Sequence, residues 1–304
     1  MIIQNGLYIH KKTFGTVPSI ITAGNTYYYS WDGITWTAAT NSLFAASNYG
    51  GATDLDQYII IPTISGYFIR LRMTGYRSFT ISNVATPGGN FYSAGYGNGV
   101  YICPAYSSTV CLRSTDDGAT WINSPLPSTC TNSYWPATDG NGVWVICQLS
   151  SSLVARSTNN GVSWTAVSTP SPCGYNVAYG NGVFVISGTT NYFLRSTDLG
   201  LTWQSVPSGT GTYPIVTDGA GTWVSLATPT TSRNVVRSTD NGATFVNNVN
   251  GLPVAGSWYN MAYRFNRFIA PSYSTAGGRL LTSTDGGLTW NQIVISNLGW
   301  HNAV

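Results

Sequence analysis

The chain has 304 residues, 13 of them basic and 10 acidic, for a net charge of +3. Only 8% of residues are charged and Glu is absent, so the field is too weak and too even for nucleic-acid binding, and no apolar run reaches membrane-spanning length. The opening Met1-Ile-Ile-Gln-Asn-Gly6 lacks the basic and apolar regions of a signal peptide, so the expectation is a chain made without a cleaved leader.

Taken in chain order, the predicted elements repeat. Asn5-Gly-Leu-Tyr-Ile9 matches Asn98-Gly-Val-Tyr-Ile102 and predicts the second strand of a unit whose first strand is missing. A loop between second and third strands follows from His10 to Ile21, carrying Lys11, Lys12 and Phe14; it is longer than its counterparts in later units and is a candidate docking element. Ser30-Trp-Asp-Gly-Ile-Thr-Trp36 is then a shortened first copy of an eight-residue turn. Full copies run from Ser114 to Trp121, Ser157 to Trp164, Ser196 to Trp203, Ser238 to Phe245 and Ser283 to Trp290, with a worn copy at Met73 to Phe79. The closing aromatics Trp36, Phe79, Trp121, Trp164, Trp203, Phe245 and Trp290 lie 39 to 45 residues apart, the length of a four-stranded propeller blade.

A second motif precedes the turns: Gly97-Asn-Gly99, Gly140-Asn-Gly142, Gly180-Asn-Gly182 and Gly219-Ala-Gly221. Gly and Asn tolerate positive φ, so each reads as a hairpin turn entering an apolar strand. Runs such as Val110-Cys-Leu-Arg-Ser114 alternate with period two and predict a third strand, and the turn aromatic opens a fourth. At the chain's end, Trp300-His-Asn-Ala-Val304 is similar to Trp258-Tyr-Asn-Met-Ala262, which opens its own unit. The expectation is therefore an all-β, seven-bladed β-propeller forming one domain over 1–304. Its C-terminal strand would complete the N-terminal blade, which removes the open edges of a linear array. Blade 1 comprises 1–40 plus 296–304, and blades 2 to 7 span about 41–83, 84–127, 128–170, 171–209, 210–252 and 253–295.

The Ser-x-Asp-x-Gly-x-Thr-Trp turn resembles the Asp-box, or BNR, repeat of sialidases, xyloglucan-degrading hydrolases, a photosystem II assembly factor and phage propellers. The resemblance implies the architecture and is nearly silent on activity. Asp32, Asp116, Asp198, Asp240 and Asp285, with Asn159 at the same position, are expected to accept backbone N–H bonds across their turns, while Gly118, Gly200, Gly242 and Gly287 supply positive φ. Asn159 can do this without charge, which marks the position as structural.

Carboxylates argue against catalysis. Of the ten Asp, five lie in the turns, Asp117 adjoins one, and Asp139 and Asp218 occupy the hairpin turns. Asp54 and Asp56 remain, and alignment of Gln57-Tyr-Ile-Ile60 with Val100-Tyr-Ile-Cys103 places them in an equivalent hairpin turn. The sialidase pattern needs a Glu that the chain lacks. A glycoside hydrolase working with two opposed Asp is the enzyme alternative, and a free-standing lectin acting on a polysaccharide the other. Arg113, Arg156, Arg195 and Arg237 precede four turns, with Arg72 roughly equivalent; one repeat position spreads them around a ring, each bonded within its own blade.

No cofactor or metal is expected. His10 and His301 show no ligand spacing with any Cys, the turns end without the bidentate Glu of a calcium loop, and no helix follows the Gly-Asn-Gly triplets. The five Cys form no disulfide framework, although Cys103 and Cys111 flank one hairpin.

The first strand repeatedly carries an aromatic about seven residues before the hairpin turn's Gly: Tyr92, Trp135, Tyr175 and Tyr259, with Tyr49, Tyr213 and His301 by looser alignment. In a propeller this strand lines the channel, so these rings would gather near one mouth as a candidate sugar- or protein-binding surface. The composition, rich in Ser, Thr, Asn, Gly and Tyr, resembles that of phage tail and other virion-surface proteins. It implies a non-catalytic structural or adhesion subunit, made in a host cytoplasm and carried on the virion, whose partners are tail proteins or a host-surface glycan.

Overall fold

The computed structural model describes residues 18–23, 26–45, 52–53, 57–210, 212–227, 233–256, 258, 260–272, 279–294 and 302–303. They form seven antiparallel sheets arranged as the blades of a β-propeller, each a meander of four strands, with the first strand of blade 3 split into Asn90–Phe91 and Gly95–Gly97. The sole helical element among them is the 3-10 turn Ser42–Ala45, which buries Phe44 between blades 1 and 2.

Asn302–Ala303 pairs antiparallel with Ser19–Ala23, so the C-terminal strand completes the N-terminal blade and closes the ring. One expectation is corrected here. The second strand of blade 1 is Ser19–Ala23, joined to Thr26–Ser30 with Ser19 opposite Ser30, so the last part of the expected His10–Ile21 loop is strand. The stretch Asn5 to Ile9 lies outside the described residues, as do Lys11, Lys12 and Phe14.

The core is distributed over the seams between blades. Second and third strands show burial on both faces, as in Trp144–Gln148 and Val183–Gly188, because each blade is covered by a neighbour on either side. Seven apolar clusters result, one at each seam. Ile21 and Tyr28 of blade 1 meet Ile269 and Leu280 of blade 7, so closure is held by side chains as well as by strand pairing.

The turns lock themselves. Asp116 accepts Thr120 N at 2.9 Å and Ser114 Oγ at 2.7 Å through Oδ1, and Thr120 Oγ1 at 2.6 Å through Oδ2. Asp198 and Asp240 repeat this set, and Asn159 Oδ1 accepts Ser163 N at 3.0 Å. Gly118, Gly200, Gly242 and Gly287 hold φ from 75° to 83°. Blade 2 differs: its third strand, Tyr67–Gly75, runs straight into Ser78–Ala85 through a tight hairpin, with Met73 opposite Phe79.

The arginines are also corrected. Arg113, Arg156, Arg195 and Arg237 donate through Nε to main-chain carbonyls of the following blade, at 2.6 to 3.1 Å, instead of bonding within their own. Their equivalent in blade 2 is Arg70, bonded to Asp117 O at 2.8 Å, not Arg72.

Candidate functional site

Strand direction divides the ring into two faces. The turns between first and second strands and between third and fourth strands share one end, here the turn face. Connections between second and third strands and between successive blades share the other, the loop face. Neighbouring first strands pack on each other, Gly95–Gly97 on Ser133–Thr138 and Ser133–Thr138 on Cys173–Gly180, which makes them the innermost layer.

At the inner rim of the loop face, four tyrosines from three blades form one patch. Tyr134 of blade 4 stacks on Tyr92 of blade 3 with centroids 5.6 Å apart and planes 16° from parallel. It meets Tyr175 of blade 5 edge-on at 5.2 Å, and Tyr106 at 5.2 Å, while Tyr92 and Tyr106 lie 5.4 Å apart. All four are half-buried, so each offers part of a ring to solvent. Burial, and then the neighbouring phenols of Tyr106, Tyr175 and Tyr92, push the Tyr134 hydroxyl well above the usual tyrosine range. Tyr134 therefore carries no charge at physiological pH. Behind it, Gln148 is buried opposite Ser133, donating to Ser133 Oγ at 2.8 Å, and its Oε1 has no donor.

Of the expected rim residues, Tyr92 and Tyr175 are in the patch. Trp135 is 9% exposed and packs in the seam between blades 4 and 5, its ring parallel to that of Tyr134 with centroids 6.4 Å apart, so it backs the patch without sharing its exposed surface. The reason is one of register. Thr138 pairs with Trp144 across five intervening residues, whereas Tyr179 pairs with Phe184 across four. Counting back seven residues from the hairpin Gly therefore stops one residue short in blade 4, and Tyr134 is the structural counterpart of Tyr175. A bulge between Ser133 and Pro136 then turns successive side chains to different environments. For Tyr213 the backbone alone is described, and Tyr49, Tyr259 and His301 lie outside the described residues.

Charge is segregated between the faces. Every described Asp lies on the turn face: Asp32, Asp116, Asp117, Asp198, Asp240 and Asp285 in the third-to-fourth-strand turns, Asp139 and Asp218 in the first-to-second-strand turns. Described charges toward the loop face are Arg233 and Arg279, in blades 6 and 7. The tyrosine patch thus stands among uncharged neighbours. Among the described residues no group of three His, Cys or Asp side chains is placed to hold a metal ion. Asp54 and Asp56 lie outside them.

All five Cys are free and buried. Cys103 and Cys111 sit opposite Leu112 and Pro104, one step out of register with each other, and face different seams, so the hairpin does not bring them together.

No family model matches the sequence, and no curated protein matches it. Solved structures do. A YCF48 protein bound to a D1 peptide is 14% identical with a TM-score of 0.64, covering 84% of this chain and 91% of that one. A streptogramin B lyase is 14% identical with a TM-score of 0.65, covering 84% and 86%. A protein of unknown function from Desulfotomaculum acetoxidans DSM 771 is 11% identical with a TM-score of 0.71, covering 94% and 98%. Enzymes and non-enzymes share this shape, and at such identities the likeness establishes the seven-bladed propeller fold and nothing finer.

Proposed function

We propose that this chain is a non-catalytic propeller of the Asp-box type that serves as a structural or adhesion subunit of a phage tail or other virion. Its loop-face tyrosines would contact a host-surface glycan. The observation that carries this reading is the patch of Tyr92, Tyr106, Tyr134 and Tyr175 on a face where no described carboxylate stands. Aromatic faces stack on the apolar faces of sugar rings, and phenol hydroxyls bond sugar hydroxyls. Glycoside hydrolysis needs two carboxyl groups flanking the scissile bond, about 5 to 10 Å apart. The side chains of Asp32, Asp116, Asp139, Asp198, Asp218, Asp240 and Asp285 instead accept N–H bonds inside their own turns.

A glycan array tests the glycan contact. Binding to neutral saccharides that is lost in Tyr134→Ala and Tyr175→Ala supports it. Saccharide turnover abolished by Asp54→Asn or Asp56→Asn would replace it with a hydrolase. A silent array together with recovery of the chain inside purified particles would leave the structural role and move the contact to a protein neighbour. That second reading has one support: YCF48, of the same fold, is seen with a bound peptide.

A further inference from the structure

Blade 2 carries the longest outer edge described on the ring. Ser78–Ala85 is eight residues, while the outermost strands of the other blades have two to four. The cause is the lost turn. Without an eight-residue loop to end it, the third strand continues to Gly75, and Ser78–Ala85 pairs along its length.

Natural sheets blunt such edges with short strands, charges, Pro or covering loops. Ser78-Phe-Thr-Ile-Ser-Asn-Val-Ala85 has no charge and no Pro. Its inner side is anchored, with Phe79 edge-on to Tyr29 at 5.4 Å and Ile81 in the seam cluster, while Ser78, Thr80, Ser82 and Asn83 are exposed. The strand is therefore anchored in extended form, and no other described strand pairs with its outer side.

The surroundings choose the occupant. Residues 57–115 contain Arg70, Arg72, Arg77 and Arg113 and no acidic residue. Arg70 and Arg113 are engaged with neighbouring blades, but Arg72 and Arg77 are exposed, Arg77 beside a Tyr76 that is 78% exposed at the hairpin tip. We propose that Ser78–Ala85 is a docking edge for an extended acidic segment of a partner polypeptide, which adds to blade 2 as a fifth strand. Main-chain bonds supply affinity, and Arg72 and Arg77 select carboxylates over cations.

Amide hydrogen exchange of the full chain tests this with two synthetic probes: an eight-residue Thr/Val peptide bearing Glu at alternate positions, and the same peptide bearing Lys. The Glu peptide slows exchange within 78–85 roughly tenfold or more and the Lys peptide does not. In an Arg72→Glu, Arg77→Glu double variant, both substitutions on exposed side chains, the preference reverses. Unchanged exchange in 78–85 at Glu peptide up to about 1 mM, or equal protection by both peptides, overturns the proposal. Protection that grows with protein concentration alone, without peptide, also overturns it and identifies the occupant as a second copy of this chain.

Discussion

The guanidinium of Arg113 in blade 3 donates through Nε to the main-chain carbonyl of Asn160 in blade 4, 2.9 Å away. The acceptor is always the residue after the turn's Asp or Asn, held at positive φ: Asp117, Asn160, Leu199, Asn241 and Gly286. The arginine of one blade therefore belongs to the turn of the next. Blade 1 has a turn but Tyr29 in the arginine's place, and blade 2, which follows it, has no turn. Blade 7 has Thr282 there, and the turn it faces, Ser30-Trp-Asp-Gly33, lacks the residue whose carbonyl would accept.

Removing one such bond should cost stability without harming the turn beside it in sequence. Arg156→Ala is expected to lose about 1.5 to 3 kcal/mol, the range for hydrogen bonds to charged groups, and Arg156→Lys should not recover it because the ammonium lacks the planar fork. Arg72→Ala, which breaks no such bond, should stay within about 0.5 kcal/mol of the parent. Urea unfolding of the three variants decides the matter; equal losses for Arg72 and Arg156 would refute the pairing between blades.

Two glycines with nearly the same φ separate conformational from steric demand. Gly182 sits at φ 81° with open space where a Cβ would project, whereas at Gly200, φ 78°, a Cβ would stand 2.7 Å from Val145 Cγ2 of the preceding blade. Gly182→Ala should cost about 1 to 2 kcal/mol for the left-handed conformation alone. Gly200→Ala should add about 1 to 3 kcal/mol of overpacking. Combining it with Val145→Ala should cost less than the sum of the two, measured by urea unfolding, because the clash and the cavity share one space.

Periodic features were legible because each is local. The turn copies and the likeness of Trp300 to Val304 to other opening strands were enough for blade number and ring closure. Two features were displaced because they depend on pairing. In every blade that bears a turn, the turn Ser faces the start of the second strand, as Ser114 faces Tyr101 and Ser157 faces Trp144. Counting from Ser30 by that rule reaches Ser19–Ala23, whereas matching Asn5–Ile9 by letters did not. Likewise, one extra hairpin residue in blade 4 exchanged Trp135 for Tyr134. Tyr106 had no repeat signal, since it enters the patch from the second strand of a single blade.

Acid should unfold the ring partly through its turns. Burial raises the Asp240 carboxyl, but bonds from Thr244 Oγ1 and N and from Ser238 Oγ outweigh it and hold the group at about 2, against 3.8 when free. Asp285 behaves alike, at about 2. A depressed folded-state pKa gives stability that is fully present above the unfolded value and is lost as pH falls through the folded one. The window is thus about pH 4 down to 2, and solvent screening of these exposed turns keeps each contribution modest. Asp240→Asn, imitating Asn159, should flatten the dependence of Tm on pH in that window while changing Tm little at pH 7. An unchanged slope would place the acid sensitivity elsewhere.

Thiol labelling offers a view of the tyrosine patch from behind. Cys147 donates to the carbonyl of Tyr175 at 3.3 Å, and Cys103 to that of Ser93, next to Tyr92, at 2.9 Å. Burial raises both thiols well above the free value, so neither is a thiolate at pH 8 and reaction requires the strands to open. Burial likewise lifts Cys173, with a lesser opposing bond from Thr169, to about 11. In native protein at pH 8 an aromatic disulfide reagent should label none of the five within minutes, and all five in concentrated guanidinium. A ligand seated on Tyr92, Tyr134 and Tyr175 must slow labelling of Cys147 and Cys103 more than that of Cys111, which faces the other seam of blade 3. Equal slowing of all three would mean that the ligand stabilises the whole ring from some other face, and rapid native labelling of Cys147 would mean that the bulge at Tyr134 opens independently of the blades around it.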